Sequence, residues 1–129
     1  MITKKLFFIT GSLFGMFAVI LGAFAAHGLQ HSVNAKFLAV FHTGVDYQFY
    51  HSFALLVTGM LMHTFSTSRL LKAAGIAFII GIMFFSGSLY LYVFTANKLF
   101  GMTAPIGGLS FIIGWLLLTL SFIYSESGK

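Results

Sequence analysis

The chain has no cysteine, one proline, one tryptophan and only two acids, Asp46 and Glu126, in 129 residues. Lack of cysteine excludes disulfides, thiolate metal sites and thiol catalysis, and leaves redox compartment unreadable. With Asp46 alone before the C-terminal tail, no second carboxylate completes a proton relay within the apolar regions. Charge is scarce altogether: seven per cent of residues carry it, against about 25% in a soluble domain. Two acids and seven bases cannot build a solvated surface, so lipid is the main solvent. The bases stand singly between apolar runs and form no basic face, which argues against a nucleic-acid partner. There is no Gly-x-Ser-x-Gly elbow and no acid–histidine–serine order, and the reading leans away from an enzyme.

What is present is apolar sequence, 59% hydrophobic with seventeen phenylalanines that read mostly as lipid-facing filler. A membrane-spanning helix needs about 20 mostly apolar residues. Four segments qualify, at about 6–26, 47–65, 73–96 and 103–124. The predicted fold is an all-α membrane protein, one domain over 1–129, folded as a four-transmembrane-helix bundle. Four spans put both termini on one side. Lys4, Lys5, Arg69, Lys72 and Lys129 fall on that side, and Lys36 and Lys98 on the other. The positive-inside bias then makes both termini cytoplasmic. The first span imitates a signal peptide at Ala23-Phe24-Ala25, but its apolar run is too long for one, so it is read as retained.

Between the first two spans, Leu29, Val33, Phe37, Val40 and Phe41 recur near helical spacing. They predict a short amphipathic outer segment that lies at the interface and turns near Gly44 into span two. One continuous helix from about Asn34 is the competing reading. Gly11, Gly15 and Gly22 on span one, Gly87 on span three, and Gly107, Gly108 and Gly114 on span four allow close backbone approach. They serve either a compact bundle or contacts between copies. Pro105 falls in the first turn of span four and reads as a helix start. Trp115 lies too deep for an interfacial anchor.

The polar residues offer several constellations. His27 with His31, and His42 with Asp46, have i, i+4 spacing and are candidates for a divalent metal such as zinc or copper. His27 with His51 could ligate a haem. The default expectation is no cofactor. Tyr47, Gln48 and His51 on span two, with Ser86, Ser88 and Tyr90 on span three, form either a polar pocket on the outer side or an interhelical clamp. Buried polar groups need partners, and interhelical bonds in membranes contribute about 0.6–2 kcal/mol each, so the clamp is preferred.

Four motifs fall in order on the four spans: "GAFAAHGL" (22–29), "YQFYH" (47–51), "FSGSLYL" (85–91) and "PIGGLSFIIGW" (105–115). Together they resemble the small inner-membrane family of unknown function typified by YgdD and YwdK, with animal relatives among small mitochondrial transmembrane proteins. The resemblance covers nearly the whole chain. It implies a four-spanning inner-membrane protein and brings no activity, substrate or cofactor with it. It matches His27, Gly28, Tyr47, Gln48, His51, Ser86, Gly87, Ser88, Tyr90, Pro105, Gly107 and Gly108, and leaves His31, His42 and Asp46 outside. That favours a His27–Tyr47–Gln48–His51 pocket over the metal site. One departure is that Ala104 separates Thr103 from Pro105, where the family has threonine directly before the proline. The function expected is that of an accessory, scaffold or lipid-binding protein. Its partners would be membrane lipid and a membrane protein or second copy. The alternatives are a small oligomeric transporter or channel, and a haem- or metal-binding membrane protein.

Overall fold

A computed structural model describes residues 2–65 and 69–125. Glu126 and Lys129 lie outside the described residues. Among the described residues there are helices and no strand. This is what lipid demands, because a helix satisfies its own backbone groups where water cannot.

Helix α1 (Ile2–His27) follows the first apolar run and gives way to a 3-10 turn at Leu29–His31. Asn34 starts helix α2 (Ala35–Thr64), its side-chain oxygen accepting from the Phe37 N–H at 2.8 Å. Helix α3 (Arg69–Gly81), a π turn at Ile82–Ser86 and helix α4 (Gly87–Thr95) make one rod. Within it the Gly87 N–H reaches back five residues to the Ile82 carbonyl. The rod ends where Ala96 takes a left-handed backbone at φ 54°. Asn97 then accepts from the Leu99 N–H at 3.0 Å and opens helix α5 (Lys98–Ser125).

Three stretches, Ile2–His31, Arg69–Thr95 and Lys98–Ser125, are long and apolar enough to cross a membrane. Helix α2 has the length, since 30 residues span about 45 Å. Its own polar residues, Gln48, His51, Ser52 and Thr58 among them, dilute it, and all four are buried.

Two expectations are corrected. The chain does not turn at Gly44 into a separate amphipathic segment; α2 is one helix from Ala35. Gly44 serves contact instead, because a Cβ there would lie 2.8 Å from the Tyr90 ring. Pro105 is not a helix start either, since α5 begins seven residues earlier at Lys98 and carries the proline inside. Asn97 supplies the start, and the residue one turn before the proline is Gly101, where the pyrrolidine ring crowds the backbone.

α1 packs along α2, α2 along the α3–α4 rod, and the rod along α5. Gly11, Gly15 and Gly22 face α2: added Cβ atoms would lie 3.0 Å from the Ser52 carbonyl, 3.4 Å from the Ser52 hydroxyl and 3.6 Å from Val45. Gly114 meets Phe78 at 2.7 Å, Gly108 meets Phe85 at 3.7 Å, and Gly107 presses on the backbone of Phe84 and Phe85. Gly87 is the exception among the packing glycines, as nothing lies within 4 Å of its added Cβ.

The packed side chains fall into two apolar clusters. One gathers Phe7, Leu55, Phe78, Ile82, Phe111 and Leu118. The other gathers Ala18, Ala25, Leu29, Phe41, Val45 and Val93. The residue numbers along each helix leave a gap between the clusters, and polar side chains fill it.

Candidate functional site

This polar belt is centred on α2. Gln48 is 4% exposed and joins three helices. Its amide N–H donates to the Phe14 carbonyl of α1 at 2.8 Å. Its amide oxygen accepts from the Tyr90 hydroxyl of α4 at 2.7 Å. The Phe14 carbonyl can only accept, which fixes the orientation of the amide. Ser86, fully buried, donates from the end of the π turn to the Gly44 carbonyl at 2.6 Å.

His51 forms the second centre. Its Nδ1 lies 2.7 Å from the Tyr47 carbonyl, one turn back, and its Nε2 lies 3.1 Å from Trp115 Nε1 on α5. A carbonyl only accepts and an indole N–H only donates. The ring is therefore the neutral tautomer with its proton on Nδ1. The Phe111 ring stacks on it, centroids 3.5 Å apart and planes 9° apart. Gly81 makes room for Phe111, whose ring occupies the space where a Cβ at that glycine would stand.

Two further bonds tie α5 to the rod. Ser110 donates to the Ala77 carbonyl at 2.7 Å. Thr103 donates to the Phe100 carbonyl at 2.8 Å, so the Ser88 hydroxyl is the donor in the 2.6 Å contact between Ser88 and Thr103. Thr103 makes this link although Ala104 separates it from the proline. Among the described residues, no buried side-chain nitrogen or oxygen lacks a hydrogen-bond partner.

The belt brings together Gln48, His51, Ser86, Ser88, Tyr90 and the backbone of Tyr47, whose ring is 41% exposed and packs 4.7 Å from Phe85. It does not include His27, which is exposed at the end of α1. Along α2 it stands near the middle of the helix. Gln48 follows Ala35 by thirteen residues and precedes Thr64 by sixteen. His42 and Asp46 lie on an exposed face of α2, and His31 is exposed in the 3-10 turn. Among the described residues, no three His, Asp or Glu stand where they could hold a metal ion. His27, His31, His42 and Asp46 are not gathered into such a group, because burial of the other face of α2 turns its pair outward.

Trp115 and Phe111 were not singled out with the polar residues. A lone indole deep in an apolar run was the available signal, since a buried Trp N–H needs an acceptor. The pair also supplies a probe. Replacing His51 by phenylalanine removes the acceptor while keeping a ring, and the emission of Trp115, the sole tryptophan, is expected to move to shorter wavelength. An unchanged spectrum would mean that the His51–Trp115 bond does not form.

Long apolar helices joined by internal hydrogen bonds define a helical membrane protein. Within that class, the chain belongs to the family described as protein of unknown function DUF423, which matches residues 21–108. It is 47% identical to a UPF0382 membrane protein of Staphylococcus aureus, covering 91% of this chain and 94% of the relative. It is 40% identical to the UPF0382 membrane protein YwdK of Bacillus subtilis, covering 92% and 97%. It is also 40% identical to a UPF0382 membrane protein of Haemophilus influenzae, covering 90% and 92%. No solved structure matches the chain.

Proposed function

We propose that the protein is a four-spanning accessory or scaffold protein of the inner membrane, with both termini cytoplasmic, acting by binding rather than by chemistry. One observation carries this reading: the belt's buried polar atoms bond to one another across the helices. Polar atoms so paired across helices act as a clamp. The fourth span is α2. It lies against both α1 and the rod, and it turns Gln48 toward both of them. A helix so surrounded need not be apolar throughout to stand in lipid.

The natural chain has no cysteine, so single introduced cysteines report topology without background. An impermeant thiol reagent added to intact cells is expected to label Lys36→Cys and to label Lys5→Cys only after permeabilisation. Labelling of both from outside would break the four-span arrangement. For the accessory role, extraction from native membranes into polymer-bounded discs is expected to retain a partner in fixed ratio. Repeated recovery of the bare protein would overturn it.

A further inference from the structure

Away from the belt, a cleft of about 350 Å³ opens between the first turns of α1 and the last turn of α2, lined by Ile2, Lys4, Lys5, Phe8 and His63. Gly59, one turn before His63, brings the two helices close there: an added Cβ would lie 3.3 Å from the Phe8 ring and 3.4 Å from the Lys4 carbonyl. The Lys4 ammonium lies 3.4 Å from His63 Nδ1. Having no lone pair, the ammonium is the donor. This contact holds Lys4 at the cleft mouth, and Lys5 beside it is exposed.

More positive charge stands at the same end. The Phe7 ring fills the space where a Cβ at Gly75 would stand, which sets the N-terminal end of α3, with Arg69 and Lys72, level with Lys4 and Lys5. Asp46, the only acid among the described residues, precedes His63 by seventeen positions, about 25 Å along α2. The mouth of the cleft is thus cationic, and its deeper wall at Phe8 is apolar. The complement of such a site is one molecule that carries both an anion and hydrocarbon.

We propose that this cleft binds an anionic glycerophospholipid, with its phosphate between Lys4 and Lys5 and an acyl chain along Phe8 in the α1–α2 groove. A lysine pair suits a phosphate as point charges, without the fixed bidentate geometry an arginine would impose. The site is separate from the belt. Absence of a partner in native discs leaves lipid selectivity in the cleft measurable, and absence of that selectivity leaves the accessory role standing.

The test is titration of the purified full-length protein in neutral detergent, read by native mass spectrometry. The probes are phosphatidylglycerol and phosphatidylcholine with the same acyl chains, and glycerol phosphate alone. Phosphatidylglycerol is expected to saturate at one molecule per chain and to bind well ahead of phosphatidylcholine. Each lysine near an anionic group contributes roughly fivefold, so Lys4→Gln with Lys5→Gln should weaken phosphatidylglycerol about 30-fold. Lys36→Gln with Lys98→Gln, at the far ends of the helices, should leave it unchanged. Unaltered Trp115 emission in both double variants checks that the fold is kept. Equal binding of the two lipids, equal loss in both double variants, or glycerol phosphate binding as tightly as the lipid would each overturn the proposal.

Discussion

Replacing Gly107 by alanine is expected to destabilise the bundle by about 3 kcal/mol, the upper part of the usual range for overpacking. The added methyl would stand against the backbone of Phe84 and Phe85, 2.7 Å from the Phe84 carbonyl carbon. That backbone belongs to the π turn, which the Ser86–Gly44 bond holds from its other side. It cannot swing away as a ring can. Alanine at Gly75 or Gly81 also collides, but with the rings of Phe7 and Phe111, and rings reorient at lower cost. Gly87→Ala is the matched control. Its Cβ meets nothing within 4 Å, so alanine should leave stability unchanged or raise it by up to about 1 kcal/mol through helix propensity. Unfolding in mixed micelles of rising dodecyl sulfate fraction, followed by Trp115 emission and circular dichroism, measures both. Equal midpoints for the two variants would remove Gly107 as the point of closest approach.

Replacing Gln48 by leucine is expected to destabilise by about 2 kcal/mol. Two interhelical bonds are lost, each of about 0.6–2 kcal/mol in a membrane. Leucine is close in volume, so the loss comes from the bonds to Phe14 and Tyr90 rather than from a cavity. Tyr90→Phe removes only one of these bonds and should cost about half as much. The pair is best read as a double-mutant cycle. Once leucine stands at 48, the Tyr90 hydroxyl has lost its amide acceptor and keeps only Ser86 beside it, so its removal should cost less than in the parent chain. Additive losses would mean that the phenol and the amide do not interact. Neither change touches His51, so Trp115 emission in the folded state should stay in place in both variants.

The apolar runs made α1, the rod and α5 legible, because in lipid the length of such a run is nearly a structural statement. Helix α2 was harder. Leu29, Val33, Phe37, Val40 and Phe41 read as an amphipathic segment, and Gly44 as its bend. Lys36, His42 and Asp46 are the exposed side of one helix from Ala35, whose opposite side buries Phe41, Gly44, Val45 and Gln48. Polarity and a glycine signal either a boundary or one face of a longer element. Here only the neighbouring helices separate the two. Gln48, His51, Ser86, Ser88 and Tyr90 were legible as groups needing partners, but the partners were not. Phe14 and Gly44 contribute backbone carbonyls, which any residue supplies. His27 belongs to a different motif and stands exposed at the end of α1. The π turn had no signature in "IMFFS", and the close approach of its backbone to Gly107 lies across the interface.

The π turn also fixes a rotation. An α-helix advances about 100° per residue, and a single π turn inserts about one residue's worth of angle into the rod. α4 is therefore out of phase with α3 by roughly that amount, although the two share an axis. Ser88 and Tyr90 point to Thr103 and Gln48 because of this offset. Were residues 82–86 wound as a regular α-helix at the same length, every side chain would stay chemically intact, yet the α4 hydroxyls would swing off their partners. The number of residues between Gly81 and Gly87 is a phase angle between the two halves of the bundle, written in the chain as a length.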